Sequence, residues 1–439
     1  YADLKGTELT NLVSWYNLSA DANDSTGTNN GTNNGATFLT DAYSASSPFL
    51  PRIQDKATPK GAVALASGST SFDGSDDYIQ LASDGRTDFA NQSFTISAWV
   101  KFDDVSTHRT IYSYDYTAHS APHYANHFRL DSNATMTFAW NNGSSAQSIA
   151  TTATYSANIW YHMAVTFTSG SQKIYVDGSV VASGTATDTI TYYDQEVWIG
   201  KNNFGGYMDG SIANVGIWNR ALSASEIESI YWKGQYADLK GTELTNLVSW
   251  YNLKETEYSS ELITNGDFSS FSSGQATNWT TTGSPTLSEE TTIVQSGSSQ
   301  KIFMGSSGNN GLNQDITSVA GATYEFTAKI YVTGGKARII FDNGTDDGEI
   351  YVGVGGTSGY TDLNVWHTVS FTKTAQGTVM TARLWTNSAN TTLFADDVSI
   401  KEVIAPDSTG TNNGSIYGAT TLTDAYSASS PFLPRIQDK

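Results

Sequence analysis

The chain of 439 residues copies part of itself, and the copying is uneven. Residues 1–18, YADLKGTELTNLVSWYNL, recur without change at 236–253, an offset of 235. Residues 24–56 open DSTGTNNG and close LTDAYSASSPFLPRIQDK; they recur nearly unchanged at 407–439, an offset of 383. The offsets differ by 383 − 235 = 148, the net insertion. Where the first copy has only Ser19 to Asn23, the second holds Lys254 to Pro406, a block the size of a domain. Such a repeat constrains the fold before any single element does. The second copy ends where the first continues into ATPKGAVALASGSTSFDGSDDYI, so it is expected to be an incomplete unit. Lone half-sandwiches expose apolar faces and unpaired edges, so completion is expected from chain beyond Lys439 or from a neighbouring chain. A chain opening at Tyr1 without methionine is expected to have lost a leader or to be cropped.

Lys and Arg number 23 against 43 Asp and Glu, a formal net charge of −20. A surface this acidic repels phosphate backbones and anionic membranes, which argues against a nucleic-acid partner. Charged residues are 15% and aromatic residues 12% of the chain, the reverse of a disordered composition, so buried cores are expected. The absence of cysteine excludes disulfide scaffolds, thiolate metal sites and thiol nucleophiles. No apolar run approaches the roughly 20 residues of a membrane-spanning helix, so no membrane insertion is expected.

Period-2 alternation dominates both the long segment and the insert. FTISAWVKF (94–102), TIYSY (110–114), HFRLD (127–131), TMTFAW (135–140), WYHMAVTF (160–167), QKIYVDGSVVA (172–182) and EVWIG (196–200) read as strands. In the insert, so do 320–333, 336–342, 365–374, 379–386 and 393–403. Asp177-Gly178 is a two-residue hairpin signal. One helix is expected from Leu222 to Trp232, with Ser223 and Glu226 in capping-box spacing and Gly234 past its end. Many short strands, frequent turns and one helix predict an all-β protein of antiparallel jelly-roll sandwiches.

Two resemblances follow. LVSWYNL, DSTGTNNGTNNGAT, SFDGSDDYIQL, FTISAWVKF, NIWYHMAVTF, KIYVDGSVV, VWIG and GSIANVGIWNRALSASEIESIY stand in the order of a laminin-G-like domain of the concanavalin-A-like jelly-roll superfamily. ELITNGDFSS, NWTTTG, SGSSQKI, NQDITSVAGATYEFTAKIYV, VWHTVSFT and FADDVSIKEV resemble the galactose-binding-like jelly roll of carbohydrate-binding modules that bind xylan and β-glucan. The implied organisation is a complete laminin-G-like sandwich at 1–234 and a split second repeat at 235–256 and 405–439. The carbohydrate-binding-module-like jelly roll at 257–404 is inserted between those two fragments. Both modules with a tandem duplication also resemble structural or adhesion proteins of marine bacteriophages and bacterial surfaces, which implies an extracellular or virion-surface location.

Fold does not fix function; the chemistry of individual sites does. Glucan-hydrolysing relatives carry paired acidic residues alternating on one strand, which sets the carboxyl groups about 5 Å apart. No strand here has that arrangement: Glu255 and Glu257 fall in a linker, and Glu289 and Glu290 face opposite ways, so no catalytic residue is assigned. Calcium takes several hard oxygens. Asp73, Asp76, Asp77 and Asp209 are the candidates in the first sandwich, with turn capping as the competing role. Ala213 and Asn214 stand where the family often has an acidic pair. In the insert the module resemblance implies a structural calcium at Asp267 with Asp396 or Asp397. His119, His123 and His127 share a four-residue spacing that would suit zinc on a helix, but their flanks read as strand and loop around Pro122. Sugar platforms need aromatic faces and amides: Trp279, Tyr351, Tyr360 and Trp385 in the insert, and Tyr114, Tyr116, Trp140 and Asn141 in the first sandwich. Trp99, Trp160, Trp198 and Trp366 read as core. The Asn133, Asn142, Asn278 and Asn343 sequons are expected by chance in a chain so rich in Asn, Ser and Thr.

The reading is a non-enzymatic virion- or cell-surface structural or adhesion protein that contacts glycans through lectin-like sandwiches. Other structural subunits are expected partners, homo-oligomers among them. The alternatives are a fibre or capsid-decoration protein that binds no sugar, and an accessory carbohydrate-binding region of a polysaccharide-degrading enzyme.

Overall fold

The computed structural model describes residues 68–422, apart from 82–85, 116–123, 193–195, 255, 307, 345–348, 355–358, 387 and 410–411. Two antiparallel sandwiches account for them, as the alternation predicts. In the first, one sheet runs Ser179–Gly184, Ser171–Val176, Trp160–Thr168, Phe94–Phe102, Asp209–Trp218, Ser69–Asp73. The facing sheet runs Ala146–Thr154, Thr135–Asn141, Tyr124–Leu130, Arg109–Asp115, Glu196–Ile199, Tyr78–Leu81. Between them lie Phe94, Ile96, Phe128, Phe138, Trp140, Val165 and Phe167. Asp177 and Gly178 turn the expected hairpin with φ of 50° and 78°, the left-handed pair a type I′ turn requires.

Phe94–Phe102 is buried on both faces, because its outer face lies under a second apolar cluster. The helix Ala224–Lys233 supplies that cover with Ile227 and Ile230. Its capping box is formed by Ser223 and Glu226, and Gly234 closes it at φ 71°. Among the described residues no helix is long and apolar enough to cross a membrane.

The second copy of the repeat departs from expectation. The described parts of 235–256 and 405–439 are not fragments of a separate unit; they close the first sandwich. Leu247–Tyr251 pairs with residues 215–218. Gly414–Tyr417 pairs with Tyr78–Leu81, and Thr420–Leu422 with Ser69–Asp73. Tyr251, Leu253 and Ile416 enter the main core, and Trp250 enters the cluster beneath the helix. Each such burial is worth roughly 1.5–3 kcal/mol, which is why these strands find the sandwich they complete. The first copy lies outside the described residues.

The split segment is also bonded to itself. The buried Asp407 carboxylate accepts the Trp250 N–H at 2.7 Å and the Thr409 N–H at 3.0 Å. Tyr251 Oη donates to the Asn412 carbonyl at 2.8 Å, and Asn412 Nδ2 to Ser249 Oγ at 3.0 Å. The insert therefore leaves from and returns to chain ends lying side by side.

Its own sandwich pairs Thr286–Glu290, Ser299–Met304, Thr391–Ala405, Thr323–Gly334 and Trp366–Thr374 in one sheet. The facing sheet has the order Thr280–Thr282, Asn310–Thr317, Val379–Thr386, Lys336–Asp342, Glu349–Gly353, Gly359–Tyr360. The 15-residue strand Thr391–Ala405 runs out of this sandwich and pairs with Gly414–Tyr417 at Ile404 and Ala405, joining the two bodies through one continuous sheet.

Replacing Asp407 by Ala strands a buried Trp250 N–H, a loss of about 1–3 kcal/mol. The urea midpoint of D407A is expected to fall accordingly; an unchanged midpoint would show that the two halves of the segment do not depend on this carboxylate.

Candidate functional site

A concavity carrying aromatic groups opens on the first sandwich. Its volume is about 460 Å³, and His108, Tyr124, Arg129, Asn202 and Phe204 line it together with Thr107 and two glycines. Three separate segments build it: the turn before Arg109–Asp115, the strand Tyr124–Leu130, and the loop that follows Glu196–Ile199. Phe204 is 48% exposed and stands edge-on to Tyr124, with ring centroids 6.0 Å apart. The loop is held by Asn202, whose Oδ1 accepts the N–H groups of Phe204 and Gly206 at 2.9 and 3.0 Å. Its Nδ2 donates to Thr110 at 2.8 Å.

A buried polar chain supports the cavity. His127 packs under Tyr124 at 4.2 Å and bonds Asp115 through Nε2 at 2.8 Å. Its Nδ1 faces Arg129 Nη1 at 3.4 Å. A guanidinium only donates, so Nδ1 accepts and the imidazole carries its proton on Nε2. Burial lowers the His127 pKa, the Asp115 carboxylate opposing it. Both ring nitrogens are committed, which removes His127 as a zinc ligand; His119 and His123 lie outside the described residues. Arg129 Nε in turn donates to Asp131 at 2.7 Å. No carboxylate is among the described residues lining the cavity.

Most of the expected sugar platforms are core. Tyr114 and Trp140 are buried to 1% and 2%, the former bonding Asp88 and the latter donating Nε1–H to Gln172 at 3.0 Å. Asn141 is buried and accepts the Gly143 N–H. Trp279 lies in the core of the second sandwich. These residues cannot offer a ring or amide face to a ligand from where they sit. Tyr116 is outside the described residues. Trp99, Trp160 and Trp198 are buried as expected, whereas Trp366 is half-exposed beside Tyr331.

Trp385 and Tyr351 do come together, both in register with Arg338 on the outer face of the six-stranded sheet. Their ring faces are already engaged. The Arg383 guanidinium sits 5.0 Å over Trp385, and Lys336 Nζ sits 4.2 Å over Tyr351. Trp385 Nε1 donates to Asn313 at 2.6 Å, and Tyr351 Oη to Glu349 at 2.7 Å. Cation–π contacts of this kind are worth about 0.5–2 kcal/mol, which a sugar stacking there would have to replace. Tyr360 is exposed, its ring tilted against His367 at 4.8 Å and its hydroxyl bonded to the Thr368 carbonyl.

The acidic candidates separate similarly. Ligand oxygens of Asp73, Asp76 and Asp77 lie within 4.8 Å of one another. Asp73 Oδ1 accepts the Ser75 N–H at 2.8 Å, and Asp77 Oδ2 accepts the Asp73 N–H at 2.9 Å, the turn-capping role. Asp209 is engaged by the Arg109 guanidinium at 3.1 Å, so a cation already faces it. Asn214 sits at the bulge in Asp209–Trp218 with φ 49° and accepts from Trp250 Nε1 at 3.3 Å. In the insert Asp396 is fully buried and accepts the N–H groups of Gln295, Ser296 and Asp397, which ties a loop to its strand. Asp267 and Asp397 both line an open cavity of about 400 Å³.

Residues 73–228 match the Laminin_G_3 family model, described as the concanavalin A-like lectin/glucanases superfamily. Among solved structures, a Bacteroides ovatus protein provisionally assigned as carbohydrate binding is 19% identical, with a TM-score of 0.34. The alignment covers 46% of this chain and 54% of that one, so the chain spans about half the length of that protein. A heptameric SAP-like pentraxin from Limulus polyphemus is 17% identical over 39% of this chain and 84% of its own, with a TM-score of 0.30. The CBM22-1 xylan-binding domain of Paenibacillus barcinonensis Xyn10C is 16% identical over 34% and 96%, with a TM-score of 0.26. No curated protein matches the chain.

Burial pushes the Asp77 carboxyl up to about 6, the Asp73 N–H opposing it and the Asp73 and Asp76 charges adding to it. A raised carboxylate pKa means that the native state holds the extra proton between about pH 4 and 6, so stability falls as pH rises through that window. In EDTA, the thermal midpoint of Asp77→Asn is expected to lose that part of the decline; identical pH profiles for the two proteins would contradict the assignment.

Proposed function

We propose that this chain is a non-enzymatic, surface-exposed glycan-binding protein whose first sandwich takes a sugar in the Phe204–Tyr124 cavity. The carrying observation is an exposed phenyl ring at the mouth of a concavity whose wall holds Arg129 and His108. Pyranose rings present a C–H face to aromatic rings and hydroxyl groups to donors at the edge, and this lining offers both. Hydrolysis of a glycosidic bond by the usual route needs two carboxyl groups flanking it. The described residues of the lining supply none, which favours recognition over cleavage. The match of residues 73–228 to a superfamily of lectins as well as glucanases supports the same reading. Exposure on a cell or virion surface, where a strongly acidic chain meets polysaccharide, completes the proposal. Calcium at Asp73, Asp76 and Asp77 would act as a clamp on the turn beside the closing strands.

The full-length chain should bind at least one member of a broad polysaccharide and glycan panel in affinity electrophoresis. Phe204→Ala should weaken that binding by about tenfold, the equivalent of 1.4 kcal/mol, without moving the thermal midpoint. Binding that survives Phe204→Ala but is lost in Tyr351→Ala would move the site to the insert, and silence across the panel would sink the reading.

A further inference from the structure

The outer face of one sheet of the insert carries a row of side chains from four adjacent strands. Lys301 is in register with Phe394, Phe394 with Tyr331, and Tyr331 with Trp366. Alternation puts the row outside, because Ile330 and Val332, on either side of Tyr331, are fully buried in the core. Phe394 forms the floor at 2% exposure, with the Tyr331 ring edge-on to it at 5.6 Å. Lys301 Nζ sits 5.6 Å over the same ring. Tyr331 and Trp366 are half-exposed, their ring centroids 5.5 Å apart. Phe303, two residues beyond Lys301 on the same face, is 37% exposed. Single exposed apolar residues are ordinary on a protein surface, whereas a contiguous aromatic row marks a place of contact.

Two cations flank the row. Lys329 stands two residues before Tyr331, and its Nζ donates to Thr368 Oγ1 at 2.8 Å. Asp396, in register with Lys329, is fully buried and accepts the N–H groups of Gln295, Ser296 and Asp397. Neither Lys301 nor Lys329 is paired with a carboxylate among the described residues. The strands of the two lysines are separated by one other, so the charges stand roughly 10 Å apart across the sheet. On a chain of net charge −20 this face is a local exception, aromatic and positive.

Charge decides what can lie there. A second copy of the chain brings its own −20 and is repelled. Single-stranded nucleic acid stacks on such rings, but it carries a phosphate at every nucleotide, which the rest of so acidic a chain disfavours. A polysaccharide containing uronic acids presents apolar C–H faces to the rings and separated carboxylates to the two ammonium groups. We propose that this face of the insert binds a uronate polysaccharide, with sugar rings on Trp366 and Tyr331 and carboxylates at Lys301 and Lys329. The surface belongs to the other sheet from Trp385 and Tyr351, and to the other sandwich from the Phe204 cavity. It therefore stands whether or not that cavity takes a sugar.

Affinity electrophoresis of the full-length protein tests it, in a Phe204→Ala background so that the cavity of the first sandwich contributes nothing. Separate gels hold polygalacturonate, a neutral glucan such as hydroxyethylcellulose, dextran sulfate or single-stranded DNA. Polygalacturonate should retard the protein, and less so as NaCl rises from about 20 to about 300 mM. Trp366→Ala should weaken the retardation about tenfold, as loss of an aromatic platform does. Lys301→Gln with Lys329→Gln should weaken it by a similar factor with an unchanged thermal midpoint, a variant that keeps the test independent of any unfolding caused by Trp366→Ala. Absence of retardation by polygalacturonate would overturn the proposal, whatever the other three gels show. Retardation that neither Trp366→Ala nor the lysine pair reduces would overturn it as well, and a neutral glucan bound as tightly as polygalacturonate would refute the role of the lysines.

Discussion

Edge pairing by distant strands is what the rest of the molecule depends on. Without Leu247–Tyr251 and residues 414–422, the sandwich would expose the edges of Tyr78–Leu81 and Ser69–Asp73 and leave its core open around Ile79. Unpaired edges of this kind invite association, so their closure decides whether the unit stands alone. The partners lie far along the chain, yet the entropy of closing a long loop grows only logarithmically with its length. Here the intervening loop is itself folded. Asp407 and Trp250 hold its ends together, and the strand Thr391–Ala405 carries the hydrogen-bonded ladder from one sandwich into the other.

That arrangement explains how a whole jelly roll can occupy a position where the first copy has only the five residues Ser19 to Asn23. Insertions are tolerated where chain ends already meet at a surface. Tyr417 then serves both bodies, stacking on Tyr78 of one and packing against Gly321 of the other. The insert consequently shares a seam with its host, and the residue at position 417 belongs to that seam.

Much of the fold is legible in the chain because the local signals agree with the tertiary outcome. Phe94–Phe102, Lys336–Asp342 and Val379–Thr386 begin and end where alternation places them, and Ser223, Glu226 and Gly234 mark the helix at both ends. Alternation says which residues share a face, not which face is covered; Trp140 and Trp279 look like platforms until the facing sheet is in place. Trp385 and Tyr351 are rightly placed on one face, but the sequence does not show that Arg383 and Lys336 lie across them. The Phe204 cavity escapes because three loops and strands, none with a local motif, meet only after folding; the bare Asn-Asn-Phe-Gly-Gly run at 202–206 is its one visible trace.

Closure by the C-terminal segment is the central claim, and amide hydrogen exchange tests it most directly. Peptides containing Ser415–Tyr417 differ in mass and sequence from those containing Thr32–Asn34, so the two copies can be followed separately. The amides of Ile416 and Tyr417 should exchange as slowly as those at the centre of Phe94–Phe102, opening only with global unfolding. Rapid exchange at Ser415–Tyr417 beside a protected Phe94–Phe102 would mean that the sandwich folds without this segment, and the account would fail.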